Sequence, residues 1–468
     1  MSFGTGRSDN EPQSQSLWQD TLGDDVQTAR VRHRLFTNDR GGAHRVDVAI
    51  VGGGFTGLWT ARYLAEADPS LRIAVVEAET CGFGASGRNG GWCSALFPAS
   101  HASLTAGFGI DAADAQLAAM RETVDEVGRA ALADGIDCHF AKGGTLTLAT
   151  NPAHVDRVRD DLGHDGSWLS ASDARSLIGA TPLLGAGYTP HCAALHPARL
   201  VHGLARAVEE RGVEIFEQTR VGAIEPGLVT TVDGSRVRAR TVLRCTEGYT
   251  PTLRGLRRVV VPIYSLMIAT EPLSPSFWAD AGLARRETFT DGRHLIIYGQ
   301  RTADGRLAFG GRGAPYHYGS RIAAAFDQDR EVFAELEAVL RGMFPALDGA
   351  AITHRWGGPL GVPRDWMASV GLDRATRVGW AGGYVGDGVA TTNLAGRTLA
   401  DLVLDVDSDL TRLPWVDHHS RRWEPEPFRW IGVNGGRSLA VAADRQEART
   451  SEPARTLGRI MARLTGGH

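Results

Sequence analysis

The first strong pattern along the chain is Val46-Asp47-Val48-Ala49-Ile50-Val51, a β-branched run suited to a buried strand of a parallel sheet. Glycines at 52–54 break it. A helix is predicted from Thr56 to about Ala67, where Pro69-Ser70 ends it. A second strand follows over Leu71-Arg72-Ile73-Ala74-Val75-Val76, so the opening unit is strand, turn, helix, strand. Upstream, Met1 to Gln15 is polar and rich in Ser, Gly and Gln, which predicts a disordered tail. Leu17-Trp18 then sets apolar bulk in a polar region, which predicts an arm docked on the body.

The middle of the chain has a different rhythm. Residues 111–134 predict an Ala-rich, charged helix, and Gly143 to Ala149 a strand. His196 to Val213 returns to helix-then-strand. Val260 to Thr270, Leu295 to Tyr298 and Leu307 to Gly310 read as strands whose spacing suggests an antiparallel sheet. A helix over 330–341 is expected on that sheet. A last glycine-rich block, Gly379 to Gly388, leads into a helix of about fifteen residues that begins near Val389.

Composition narrows the class. With 468 residues, 43% hydrophobic and 22% charged, the chain is an ordinary globular protein large enough for two or three domains. A net charge of −4 offers no attraction to nucleic acid or an anionic membrane. Cysteines stand at 81, 93, 138, 192 and 245, an odd count without C-x-x-C. Neither a disulfide framework nor a zinc site is expected, and no other metal is called for. Reduced thiols, the missing signal-peptide core and the absence of a long apolar stretch point to a cytoplasmic protein with no membrane span.

Gly52-x-Gly54-x-x-Gly57 follows a strand and opens a helix, the context that marks a dinucleotide fingerprint. Gly52 permits the tight turn, Gly54 lets the backbone approach a pyrophosphate, and Gly57 lets helix and strand pack. The amides of Phe55 and Thr56 then face the phosphates at the positive end of the helix. Glu77, twenty positions after Gly57, ends the second strand where a carboxylate accepts the ribose hydroxyls. No second fingerprint is present, so a separate NAD(P)H domain is absent. Two more glycine segments occur instead, Cys81 to Cys93 and Trp380 to Gly396. A flavin needs them because its ring lies far from the adenine. The cofactor expected is therefore FAD, with a helix start near Val389 stabilising the reduced ring.

Five motifs carry a family resemblance: Val51-Gly-Gly-Gly-Phe-Thr-Gly-Leu-Trp-Thr60, Gly84-Ala-Ser-Gly-Arg-Asn-Gly-Gly91, His196-Pro-Ala-Arg-Leu200, Trp356-Gly-Gly-Pro359 and Gly382-Gly-Tyr-Val-Gly-Asp-Gly388. The chain resembles the D-amino acid oxidase-type FAD proteins, and within them the gamma-glutamylputrescine oxidase-like branch, from about Leu17 to Asn434. The resemblance implies an α/β fold in which a Rossmann-type FAD-binding domain (1–98, 191–258 and 351–434) interleaves with a substrate domain (99–190 and 259–350). The substrate domain is built on a mixed, largely antiparallel sheet, and 435–468 forms a C-terminal helical tail. Beyond the fingerprint and Glu77, cofactor contacts are expected from Ala78, Ala85, Ser86, Asn89, Gly90, Gly91, Val221, Thr246, Gly248, Gly383, Gly386, Asp387, Gly388 and Val389. Val221 is expected to end a strand running parallel to the fingerprint strands. Family members often carry His where Asp387 stands, so the charge beside the flavin differs here.

The resemblance further implies oxidation of a C–N bond. An uncharged amine or amino acid gives hydride to flavin N5, water hydrolyses the imine, and oxygen takes the electrons as hydrogen peroxide. Alternatives are a dehydrogenase of the same fold passing electrons to a quinone or carrier, a flavin monooxygenase, and a non-catalytic FAD-stabilised scaffold. Such chemistry depends on positioning more than on a strong base. Two roles are open to each catalytic candidate. Arg88 either shapes the flavin pocket with Asn89 or makes a loop-stabilising ion pair; Trp356 either walls the substrate site or packs in a core. Asp387 either hydrogen-bonds near the flavin or caps the helix at Val389. Arg301, Arg312, Tyr264, Tyr298 and Tyr316 are further substrate-binding candidates, whereas Lys142 reads as structural. No Cys or His occupies Gly84 to Gly91, Trp356 to Pro363 or Gly379 to Gly388, so the FAD is expected to be non-covalent.

Overall fold

The structure is a computed structural model that describes residues 16–23, 32–36, 42–163 and 165–465, without the side chains of Arg312 and 461–465. The expected tail, Met1 to Gln15, lies outside the described residues.

The β-branched run forms the strand His44–Val51 in the middle of an eight-stranded sheet. It pairs in parallel with Ile73–Val76 on one side and Arg236–Arg244 on the other. Glu214–Phe216 and Val378–Gly382 extend the parallel order outward, and Ser369–Asp373 closes one edge antiparallel. The run is continuous because both faces are covered. Ile50 and Val75 pack in a core that includes the helices Phe55–Ala67, Pro197–Glu210 and Gly388–Val403. Ala49, Val51, Ala74 and Val76 pack with Val221, Val229 and Leu253. Two of those helices meet at Gly396, where a Cβ would stand 2.7 Å from Trp59 Cβ.

Val221 does not end a strand. It opens Val221–Glu225, which pairs antiparallel with Leu228–Thr231, itself antiparallel to Arg236–Arg244. The strand that joins the parallel set is Glu214–Phe216, and Gln218, with φ of 50°, lies in the turn after it.

The second eight-stranded sheet follows the order 352–362, 261–270, 307–312, 297–301, 288–291, 145–149, 185–189, 167–170. Only Thr288–Asp291 with Thr145–Ala149 is parallel, so the sheet is mixed and largely antiparallel. The helix Arg330–Met343 buries Val332, Phe333, Leu336 and Leu340 in the core that also holds this sheet's Leu266, Ile268 and Phe309.

The edge strand Ile352–Val362 was grouped on sequence with the FAD-binding segments, yet it pairs along its length with Val261–Thr270 of the second sheet. Its Gly357-Gly358-Pro359 run hides its β character, because glycine lowers strand propensity and proline lacks a donor. An edge position tolerates both. The C-terminal region is likewise more than a tail from 435. The helix Phe428–Thr450 starts earlier and buries Ala443 and Glu447, the latter bonded to Arg157 and His294 of the substrate-domain segments.

Candidate active site

The glycine loop requires glycine for steric reasons. A Cβ on Gly52, whose φ is 113°, would sit 2.3 Å from Cys245 O, and one on Gly57 would sit 2.0 Å from Gly52 O. Gly54 faces Ser86, whose Oγ would be 2.9 Å from an added Cβ and accepts the Phe55 N–H at 2.8 Å. Glu77 is drawn onto the loop: Oε2 accepts the Gly53 N–H at 2.7 Å and Oε1 the Glu79 N–H at 2.9 Å. Burial raises the Glu77 carboxyl pKa, and these two amide donors oppose the rise. Both oxygens retain acceptor capacity, which the ribose of a dinucleotide can use.

These groups open on a cavity of ≈ 150 Å³. Of the expected cofactor residues, Gly52, Gly54, Phe55, Thr56, Glu77, Ala78, Ala85, Ser86, Asn89, Val221, Thr246, Gly248, Gly386, Gly388 and Val389 line it. A second cavity of ≈ 370 Å³ shares Ala85, Asn89, Leu360, Gly386 and Val389 with the first, and Gly90 and Asp387 face only this second one. Gly57, Gly91 and Gly383 face neither, because they serve close packing: a Cβ on Gly91 would meet Leu195 O at 2.3 Å, and one on Gly383 would meet Pro363 Cγ at 3.0 Å. The donor-rich glycine loop, the buried acid and a cavity leading past the fingerprint into a second chamber fit an extended dinucleotide carrying a ring.

The family resemblance implies that the Thr246-Glu247-Gly248 turn lies near the adenosine half, but it gives the Glu247 carboxyl no role of its own. Glu247 lines the first cavity between Thr246 and Gly248, and its carboxylate accepts the Gly383 N–H at 2.7 Å and the Gly361 N–H at 3.1 Å. It thereby joins the edge strand to the loop before Gly388–Val403. Burial pushes its pKa up to about 7, against the opposing pull of these amides and of Arg244. The Tyr384 hydroxyl, also given no role, bonds the Thr56 hydroxyl at 3.0 Å and ties that loop to the fingerprint helix. Tyr384 lies inside the matched run Gly382 to Gly388, whereas Glu247 lies in none of the five motifs.

Arg88 lines the second cavity, donates to Asp327 at 2.8 Å and Gly357 O at 3.2 Å, and lies over the Phe83 ring. The Asp327 carboxyl is raised to about 6 by burial. Trp356 is no wall of either cavity. It is buried behind the Arg88 turn, where its indole donates to Arg88 O at 2.8 Å. Asp387 sits at the start of Gly388–Val403 but makes no side-chain capping bond; it lines the second cavity instead. The missing cap fits its backbone, whose ψ of 44° departs from the extended conformation of a capping residue.

Tyr298 is the one other candidate that reaches this chamber, with its hydroxyl 2.8 Å from Ser265 Oγ. Tyr264 and Tyr316 bond Ala323 N and Glu426, and Arg301 covers Trp278. Arg312's side chain lies outside the described residues. Lys142 pairs with Asp125. Arg157, Arg293, His294, Asp161 and Asp291 complete the charged part of the wall and were not singled out. Arg157 pairs with Glu447 at 2.6 Å and Arg293 with Asp291 at 2.7 Å.

A fingerprint-bearing parallel sheet beside a mixed sheet, with a dinucleotide channel opening into a separate chamber, defines a flavin-dependent oxidoreductase. The chain belongs to the FAD dependent oxidoreductase (DAO) family, whose profile matches residues 47–402. It is 31% identical to gamma-glutamylputrescine oxidoreductase of Escherichia coli over 406 residues, covering 83% of this chain and 91% of that one. It is 29% identical to the probable oxidoreductase OrdL of Haemophilus influenzae, covering 78% and 84%. The crystal structure of glycine oxidase from Geobacillus kaustophilus superposes with a TM-score of 0.67 at 22% identity, covering 80% of this chain and all of that one. Among the described residues no helix is long and apolar enough to cross a membrane, and the five cysteines are free and buried.

Proposed function

We propose that the protein oxidises a C–N bond of a primary or secondary amine, with oxygen as electron acceptor, in the cytoplasm. The substrate reacts as the uncharged amine, loses a C–H hydrogen with its electron pair and then a proton from nitrogen, and leaves as an imine that water hydrolyses. Oxygen takes up the two electrons as hydrogen peroxide. FAD, held by the glycine loop and Glu77, supplies the two-electron acceptor. One observation carries the preference for an amine over an amino acid. Among the described residues, the arginines lining the second cavity, Arg88, Arg157 and Arg293, are matched by Asp327, Glu447 and Asp291. A substrate carboxylate would have to compete with a carboxylate already in place. Asp161 and Asp387 bring further carboxyl groups to the same wall, which suits an amine. The similarity to gamma-glutamylputrescine oxidoreductase supports the same reading.

The test is a peroxide-coupled screen of polyamines, N-methyl amino acids and D- and L-amino acids, with anaerobic bleaching of the flavin read alongside. The expected result is bleaching and peroxide with a polyamine-type amine. Bleaching without peroxide would replace oxygen by a quinone or carrier as acceptor. Rapid bleaching by NADPH would overturn the reading in favour of a monooxygenase.

A further inference from the structure

The turn Gly84–Gly91 borders both cavities, and its carbonyls are occupied one after another. Asn89 donates from its side chain to Ala85 O at 3.0 Å and Ser86 O at 3.1 Å. Trp356 takes Arg88 O, Gln300 takes Gly90 O at 2.6 Å, and the Leu195 amide takes Gly91 O at 2.8 Å. Gly84 O accepts the Gly87 N–H at 3.2 Å, and the remaining two carbonyls are held by a segment remote in sequence. Ser16 Oγ donates to Gly87 O at 3.3 Å, and the Trp18 indole donates to Asn89 O at 2.8 Å. In contrast, the Ala85, Ser86 and Gly90 amides have no acceptor among the described residues. The turn is thus oriented by its carbonyls and left with spare donors beside the shared boundary of the two chambers.

Ser16 and Trp18 belong to a short arm whose helix is Leu17–Asp20. Leu17 and Trp18 are 1% and 2% exposed, so the arm is seated in the core rather than laid on the surface. Trp18 meets Trp356 edge to face at 6.3 Å and His196 at 5.1 Å, and Thr21 Oγ1 bonds His196 Nε2 at 3.1 Å. The arm itself precedes residue 47, where the profile match begins. We propose that the Ser16–Thr21 arm is a clasp that orients the turn towards the bound flavin, with Trp18 as its positioning residue. Holding the carbonyls outward keeps amide donors, and not carbonyl oxygens, towards a ring that gains negative charge on reduction.

The experiment compares full-length holoproteins carrying Trp18→Phe and Asp20→Asn by the two-electron midpoint potential of the bound flavin, a readout that needs no substrate. Trp18→Phe keeps the aromatic packing and removes the donor to Asn89 O. Asp20 is on the same arm but bonds His354 at the surface. Trp18→Phe should weaken binding of the reduced flavin relative to the oxidised one about tenfold, which lowers the midpoint by about 30 mV for a two-electron couple. Asp20→Asn should match the wild type. A wild-type midpoint in folded Trp18→Phe holoprotein, or an equal shift in both variants, would overturn the proposal. If Trp18→Phe yields no folded holoprotein, Ser16→Ala decides. A smaller shift in the same direction supports the clasp, and a wild-type midpoint defeats it.

Discussion

Replacing Glu247 by Gln tests whether a carboxyl at the junction of the two sheets titrates near neutrality. Its side chain is half-buried on the wall of the first cavity and holds the Gly361 and Gly383 amides, and its pKa rises from 4.5 to about 7. The folded protein therefore binds this proton more tightly than the unfolded chain does. Between the two values the folded state carries more protons, so this contribution to stability falls as pH rises. It is complete below about 4.5 and lost above about 7. One pKa unit corresponds to about 1.4 kcal/mol, so the loss between about pH 5 and pH 8 comes to about 2.5 kcal/mol. Glutamine cannot titrate. It also turns an NH2 group towards one of the two amides, which removes an acceptor at a pH-independent cost of about 1–3 kcal/mol. The assay is urea unfolding of both holoproteins across that pH range at a fixed excess of FAD. The stability difference, wild type minus Glu247→Gln, should shrink by about 2.5 kcal/mol as pH rises. A difference that stays constant with pH would show that Glu247 is ionised throughout, and the reasoning would fail.

Other outcomes follow from geometry already given. Gly54→Leu, which drives a side chain against Ser86 Oγ, should give folded but colourless protein; full flavin absorbance would remove the loop from the cofactor site. Acid precipitation of the wild type should leave yellow FAD in the supernatant, because neither Cys81 nor Cys93 lines either cavity; a yellow pellet with flavin mass on a Cys peptide would contradict this. Gly396→Val should lower stability by about 1–3 kcal/mol or more through overpacking against Trp59. An unchanged urea midpoint would show that the two helices separate freely.

The cofactor half of the site was legible because phosphate binding needs a rare local pattern. Strand, three spaced glycines, helix, strand and acid can be read within about thirty residues. The second chamber was far less legible. Arg157 and Asp161 lie one turn apart at the end of the helix Pro152–Asp160, His294 comes from a distant stretch, and Arg157 and His294 are held by Glu447 on the C-terminal helix Phe428–Thr450. Ile352–Val362 escaped notice as a strand because its glycines and proline conceal its pairing. Trp356 shows the converse limit. A motif match located it beside the flavin-facing turn, but sequence could not say that its ring points into the core, where it supports Arg88 O.

The order of strands in the parallel sheet also bears on synthesis. His44–Val51 leaves the ribosome early, yet its neighbour Arg236–Arg244 is encoded almost two hundred residues later, and Val378–Gly382 later still. At about 5–20 residues per second, the fingerprint strand waits on the order of ten to forty seconds for its partner. Throughout that interval an apolar β-branched segment has an unpaired edge, the kind of surface that nascent-chain chaperones cover. Pairing on that side starts only after residue 244 has emerged, and a chain truncated just before residue 236 has the nucleotide motif with Ile73–Val76 and Glu214–Phe216 but lacks the strands on the other flank.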